Sequence, residues 1–234
     1  MKRNLKSILS LALLTSMGMA STQALAQLYV AESTTSNGTG LNLVLPVNLP
    51  STDAGNYWAG LLNITASQTQ GGSGSSFAAF CIDPSQYANG GASDYSVSSG
   101  LSSLGSTKAA LVGNLYSQSY ATSIGNATGS AAFQLALWDL AKDDGKLSTG
   151  AVKITSSTNS NVVDLANTMI TNAQSGAGPA QYSFSLYSSA SAQDYVVASA
   201  VAAVPEPQTY AMLLSGMCLL GFTAKRRMQN ANRV

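Results

Sequence analysis

The chain contains no histidine and few charged residues. Among its 234 residues, histidine is absent and Asp, Glu, Lys and Arg together make up 9%. Histidine is the commonest general base and metal ligand, so its absence excludes serine-histidine hydrolases and histidine-ligated zinc enzymes. We therefore expect a binding protein rather than an enzyme, with no cofactor and no metal site.

Positive charge is scarcest in the central part of the chain. Residues 27–203 contain four lysines, no arginine and nine acidic residues, so their net charge is 4 − 9 = −5. Proteins that bind nucleic acids neutralise phosphates with clusters of Lys and Arg, which this segment lacks. We therefore expect no nucleic-acid partner.

The N-terminus has the order of parts of a secretory signal peptide. Lys2, Arg3 and Lys6 form a basic start, an apolar run covers residues 8–19, and a small-residue A-x-A site ends at Ala26. This order is typical of a signal peptide with its cleavage site. We predict that residues 1–26 direct export across the inner membrane and that cleavage follows Ala26.

Residues 204–234 also combine three parts in a defined order. They are a Pro-Glu-Pro element, an apolar stretch and a basic cluster: Pro205, Glu206 and Pro207; residues 209–224; and Lys225, Arg226 and Arg227. As a helix the apolar stretch would be about 24 Å long, which is shorter than a hydrocarbon core of about 30 Å. It could span a bilayer only with local thinning or snorkelling, and the basic cluster would stay cytoplasmic.

This order of parts resembles the PEP-CTERM protein-sorting tail of Gram-negative bacteria. The segment VPEPQTYAMLLSGMCLLGFTAKRR carries the resemblance. The resemblance implies processing by an exosortase, a transient membrane anchor through a single C-terminal transmembrane helix, and delivery to the cell surface or the exopolysaccharide matrix of a biofilm. It leaves residues 27–203 as a secreted domain whose own role the tail does not define.

The secreted domain shows two kinds of pattern. β-branched and aromatic runs bounded by Gly, Pro, Asn and Asp predict strands at 41–47, 57–66, 77–82, 181–187 and 195–201. Apolar residues at helical spacing predict helices at 107–117, 130–142 and 162–173. Residues 70–76 are interpreted as a Gly/Ser-rich loop, and residues 89–103 form another polar segment.

The order of strands, helices and strands predicts the fold class. We expect an α+β fold in which an antiparallel, β-rich sandwich or barrel-like domain carries a helical insertion of about three helices. The first and last parts of the antiparallel sheet should pair, with the helical insertion between them. Ser130 is the predicted N-cap of the second helix, which should end at Asp143-Asp144-Gly145.

Cys81 is the one cysteine of the secreted domain, because Cys218 lies in the tail. Cysteines of exported proteins usually pair, so a single thiol calls for an explanation. Lipid attachment is not expected, because no cysteine follows the cleavage site after Ala26. An intermolecular disulfide and a buried, inert thiol both remain open.

Two short elements suggest a chemical role for this cysteine. The element FCID contains Cys81, and the later element FQLALW contains Gln134 and Trp138. Together they resemble the thioester domain of surface adhesins of Gram-positive bacteria, although Phe133 stands where that family usually has threonine. The resemblance implies that the Cys81 thiol and the Gln134 side chain join with loss of ammonia, and that Trp138 shields the bond.

An internal thioester would make the protein an adhesin. A surface amine would attack the acyl carbon, leaving an amide to Gln134 and a free thiol at Cys81. In the alternative, Cys81 is a small buried hydrophobe at a strand end, Gln134 is partly exposed, and Trp138 is ordinary core. The protein would then be a non-covalent structural or carbohydrate-associated component of a biofilm matrix.

The remaining candidates are weaker. Asp139, Asp143 and Asp144 lack the alternation of ligands typical of a calcium loop and are more typical of a helix-ending turn. A hydrolase of exopolysaccharide acting through acids such as Asp83 and Asp139 is disfavoured by the small number of acids. Several aromatic residues could stack on sugars but are more typical of packing: Tyr57, Trp58, Tyr87, Tyr95, Tyr116 and Tyr120.

Overall fold

The computed structural model describes residues 28–32, 39–44, 56–86, 93–154, 158–176, 178, 180–201 and 211–221. The predicted signal peptide and its cleavage site after Ala26 lie outside these residues, as do the Pro-Glu-Pro element and the basic cluster. The strands are β1 Leu28–Glu32, β2 Thr39–Val44, β3 Asn56–Ser67, β4 Ser75–Cys81, β5 Ser93–Ser99, β6 Tyr182–Ser188 and β7 Tyr195–Ala200. The helices are α1 Ser106–Leu115, α2 Ala121–Ser123, α3 Ala127–Lys142 and α4 Ser160–Ser175.

Six of these strands form a closed antiparallel barrel. The strands follow the order β1-β5-β6-β7-β4-β3-β2, and β1 also pairs with β3. Strand β3 spans 12 residues, so its first half can pair with β2 and its second half with β1. Closure satisfies the backbone groups that an open sheet would leave at its edges. The α+β fold with a barrel-like antiparallel sheet is as the sequence predicts.

The helices are inserted between β5 and β6. Helix α1 continues through a π-helical turn, Tyr116–Tyr120, into the short α2. Helix α3 is buried from Gly129 to Ala141 and packs against α1, α4, β2 and β3. A helix that is buried all round is typical of the centre of a domain. Helix α3 is therefore the layer between the barrel and the other helices.

Two strands were not predicted. Strand β5 lies inside the polar segment 89–103, where no strand was predicted, and β1 precedes the first predicted strand. In β5 the side chain of Tyr95 is buried, whereas that of Val97 is 50% exposed. Backbone pairing to β1 and β6 holds this strand in the sheet. Because its side chains do not form an apolar pattern, its sequence resembles that of a polar segment without a strand.

The start of α3 differs from the prediction, and its end agrees with it. The helix begins at Ala127, and its N-cap is Asn126, whose Oδ1 accepts a hydrogen bond from the Gly129 N–H at 2.7 Å. Ser130 lies in the first turns of the helix, where its hydroxyl donates to the Ser123 carbonyl oxygen. The helix ends at Lys142, directly before Asp143.

The tail contains a helical segment at residues 211–221. Its apolar side chains are exposed, with Met212 at 76% and Leu220 at 71%. Within the described part of the chain, no helix combines the length and apolar character needed to cross a bilayer. The transmembrane sorting helix stays a prediction, and so do the domain boundaries 1–26, 27–203 and 204–234.

Candidate functional site

The structure brings Cys81 and Gln134 into direct contact. The Cys81 N–H donates to Gln134 Oε1 at 3.0 Å, and Gln134 Nε2 donates to the Cys81 carbonyl oxygen at 2.7 Å. The two residues are only 2% and 1% exposed. The carboxamide of Gln134 is thus fixed against the backbone of Cys81. Its oxygen accepts from the Cys81 N–H, and its amino group donates to the Cys81 carbonyl oxygen.

Gln134 binds the edge of the Cys81 backbone that faces away from β7. On the other side, β4 pairs with β7, where the Ile82 N–H donates to the Asp194 carbonyl oxygen at 3.0 Å. Backbone groups of successive residues in an antiparallel strand point to alternate sides, so those of Cys81 point away from β7, toward β3. The β3–β4 ladder ends at Ala79. The Gln134 amide therefore makes the two hydrogen bonds to Cys81 just beyond the end of this ladder.

Trp138 contacts the sulfur of Cys81. It lies one helical turn after Gln134, so both side chains leave the same face of α3. Its indole Nε1 donates to Cys81 Sγ at 3.3 Å, and its ring meets that of Tyr57 edge-on, with centroids 6.3 Å apart. A buried indole N–H usually has a hydrogen-bond partner, and here that partner is the sulfur. The predicted packing residue Trp138 therefore also makes a polar contact with the thiol.

The face of β4 opposite Cys81 also packs against α3. Successive side chains of a strand point to opposite faces, so Phe80 lies on the face opposite Cys81. Its ring centroid is 4.7 Å from that of Phe133, which also contacts Tyr116 and Tyr120. Phe133, the departure from the expected threonine, is thus part of an aromatic cluster. Through this cluster, α3 packs against the end of β4.

An ion pair joins the ends of the same two elements. Lys142 Nζ at the end of α3 lies 2.7 Å from Asp83 Oδ2, just after β4. Partial burial disfavours the charged carboxylate, but the bonds from Lys142 and Ser85 outweigh it and lower the pKa of Asp83. Asp83 is therefore held as a paired carboxylate.

Asp139 lies in a different cluster from Asp83. Carboxylate oxygens of Asp139, Asp143 and Asp144 all lie within 4.8 Å of one another. Asp139 is fully buried, and neither of its carboxylate oxygens has a hydrogen-bond partner. Burial, with added repulsion from Asp143 and Asp144, raises the pKa of Asp139 to about 7, which nearby backbone N–H groups offset only in part. The sequence predicted the end of the helix at this point, but it did not predict that the three carboxylates lie close together.

Among curated proteins, none matches the sequence. The N-terminal thioester domain of a surface protein from Clostridium perfringens aligns with a TM-score of 0.45 at 13% identity, covering 75% of this chain and 99% of that domain. The N-terminal domain of the Streptococcus pyogenes pilus tip adhesin Cpa aligns with a TM-score of 0.42 at 16% identity, covering 78% and 97%.

A family described as the PEP-CTERM protein-sorting motif matches residues 203–227. The match includes the Pro-Glu-Pro element and extends to Arg227, so it contains all the residues assigned to the sorting signal from the sequence. Such a motif implies processing by an exosortase. The chain therefore carries a PEP-CTERM protein-sorting motif, which implies a secreted protein that is sorted to the cell envelope or surface.

Proposed function

We propose that this protein is a surface adhesin that captures amines through an internal thioester between Cys81 and Gln134. The observation that carries the proposal is the pair of hydrogen bonds between the Gln134 carboxamide and the Cys81 backbone, with Trp138 donating to the sulfur. These contacts hold the carboxamide against the backbone of the residue that carries the nucleophile, in a buried site. Positioning of this kind makes an otherwise slow acyl transfer feasible.

The contacts suit each step of bond formation. The sulfur of Cys81 attacks the side-chain carbonyl carbon of Gln134, the carbon–nitrogen bond breaks, and the thiol proton leaves with the nitrogen as ammonia. Negative charge develops on Gln134 Oε1, which already accepts the Cys81 N–H, as in an oxyanion hole. The Trp138 N–H stabilises the thiolate that attacks.

Burial protects the bond once it has formed. Cys81, Gln134 and Trp138 are each no more than 2% exposed. Exclusion of water prevents hydrolysis of a reactive acyl group. An incoming amine then attacks the acyl carbon, an amide to Gln134 forms, the carbon–sulfur bond breaks, and the Cys81 sulfur takes up a proton. The partner is a surface amine or an amine-bearing component of the extracellular matrix.

Intact-mass measurement tests the proposal on the protein produced from the full-length sequence. Cys218 is an exposed free cysteine, so every sample carries Cys218→Ala and a thiol count reports Cys81 alone. We expect a mass lower by one ammonia and no titratable thiol. Methylamine should then add its whole mass and release one thiol.

Matched variants separate the thioester from other modifications. Gln134→Glu keeps the shape of the side chain but has no ammonia to lose, so it should show an unmodified mass and a free thiol. Gln118→Glu, on an exposed glutamine, should behave as the parent protein. An unmodified mass with a titrating Cys81 in the parent would refute covalent capture and favour a non-covalent matrix protein.

A further inference from the structure

We propose that Asp139, Asp143 and Asp144 form a calcium-binding site at the C-terminal end of α3. The sequence favoured a helix-ending turn with no metal, and α3 does end at this point. The tertiary structure adds two observations, the convergence of three carboxylates and the burial of one of them without a partner. The site is separate from Cys81 and does not depend on a thioester.

The spacing of the three carboxylates suits one ion. Their oxygens lie within 4.8 Å of one another. Calcium binds oxygen at about 2.3–2.6 Å, so two ligands on opposite sides of the ion are about 4.6–5.2 Å apart. Magnesium requires about 2.0–2.1 Å in a near-ideal octahedron and loses its waters reluctantly, so a cage of protein carboxylates alone suits it less well. Carboxylates without cysteine or histidine also favour a hard cation over zinc.

The buried carboxylate of Asp139 needs a counterion that the described residues do not supply. Neither of its oxygens accepts a hydrogen bond, and the residue is fully buried. A buried charge is strongly disfavoured unless it is paired or coordinates a metal. Lys142, the basic residue in the last turn of α3, pairs instead with Asp83. A cation bound between the carboxylates would provide the missing partner.

The position of the acids at the C-terminal end of α3 also favours a bound cation. The C-terminal end of a helix carries a partial negative charge, which disfavours carboxylates and favours cations. Asp139 lies in the last turn of α3, and the Asp143 N–H donates to its backbone carbonyl oxygen at 2.9 Å. Three acids at this end repel both one another and the helix. A bound divalent cation would reverse the sign of both interactions.

The loop after α3 holds the other two carboxylates in place. Asp143 Oδ2 accepts the Val152 N–H at 2.6 Å, and Asp144 accepts from the Lys146 N–H and the Thr149 hydroxyl. Gly150 has a φ of +77°, and a Cβ there would lie 2.2 Å from both carboxylate oxygens of Asp143. The glycine thus leaves room for the carboxylate. Ligands that are fixed before the ion arrives cost less ordering entropy on binding.

Thermal unfolding of the full-length protein, first stripped with a chelator, tests the proposal. Extracellular calcium sites often bind at about 0.1–1 mM, so calcium chloride is titrated through that range. A ligand that binds only the folded state raises the melting temperature as its concentration rises. We expect a saturable rise with calcium and a smaller one with magnesium at equal ionic strength, and calorimetry should give one ion per chain.

Variants locate the site. Asp139→Asn and, at the exposed position, Asp144→Asn should each abolish the calcium-induced rise. Asp164→Asn, which removes an exposed acid on α4, and Cys81→Ala should both retain it. No rise with calcium, an equal rise with magnesium, or a rise that survives in both Asp139→Asn and Asp144→Asn would each overturn the proposal. Asp139 would in that case be accommodated by holding a proton.

Discussion

At the residue scale, Trp138 has a polar role that its hydrophobic surroundings do not suggest. Its ring is buried in the core, yet its indole N–H is directed at Cys81 Sγ. A buried tryptophan usually finds a partner for this group. Here the partner is the proposed nucleophile, so the packing and the chemistry of the site depend on the same side chain.

Trp138→Phe tests this role. The change keeps an aromatic ring but removes the donor, so the Cys81 thiolate loses stabilisation and thioester formation should slow. Loss of one neutral hydrogen bond should also lower the free energy of unfolding by about 1 kcal/mol or more, since packing changes as well. Time-resolved intact mass of freshly made protein and urea unfolding measure the two effects. An unchanged rate of ammonia loss would contradict the assigned role.

At the scale of elements, the site depends on how α3 meets the end of β4. Gln134 binds where the β3–β4 ladder ends, the aromatic cluster around Phe80 and Phe133 holds the helix at its centre, and the Asp83–Lys142 ion pair holds its end. Each contact joins residues more than fifty positions apart in the sequence. None could be inferred from local propensity, since both elements are apolar and pack well in many registers.

The ion pair predicts a dependence of stability on pH. The pKa of Asp83 is lowered in the folded protein from an ordinary 3.8, so its contribution is present above that pH and is lost as the pH falls through and below it. Lys142→Met should therefore destabilise the protein at about pH 6 by only about 0.5 kcal/mol, because the pair is partly exposed. At about pH 3 the parent and the variant should differ less.

Urea unfolding at the two pH values measures this difference. Lys153→Met, at an exposed lysine in the loop after α3, is the matched control and should show no pH-dependent difference from the parent. A Lys142→Met effect that stays constant between the two pH values would show that the lysine acts through packing of its stem and not through the carboxylate.

At the scale of the whole molecule, a barrel and a sorting tail serve separate purposes. The barrel is closed through β3, which pairs with β1, β2 and β4, and it presents the end of β4 to α3. The sorting motif lies at residues 203–227, beyond the last strand at Ala200. Processing of the tail should therefore be separable from folding of the barrel.

Replacing Pro205, Glu206 and Pro207 together by alanine tests this separation. Recognition by an exosortase should be lost, so the protein should keep its tail and remain with the membrane fraction of the producing cell. Gln208→Ala, next to the element, should be processed normally. The mass and location of the protein report processing, while thermal unfolding of the purified variant should match the parent. Normal processing of the triple variant would contradict the assigned signal.

Local sequence determined the parts of this protein that depend on order along the chain. The sorting tail could be identified from a Pro-Glu-Pro element, an apolar stretch and a basic end. The three longer helices and five of the strands could be placed because their apolar residues recur with the period of a helix or a strand. Strand β5 was not predicted, because its backbone pairing, rather than its side chains, holds it in the sheet.

Only the tertiary structure decided which distant residues meet. The resemblance of the sequence to a known family identified Cys81, Gln134 and Trp138 as candidates. Their contacts depend on the end of the β3–β4 ladder at Ala79 and on the packing of α3 beside it. The convergence of Asp139 with Asp143 and Asp144 likewise depends on how the loop after α3 folds back. Such contacts arise from global packing, since the free energy that fixes them comes from burial of the whole core and not from neighbouring residues.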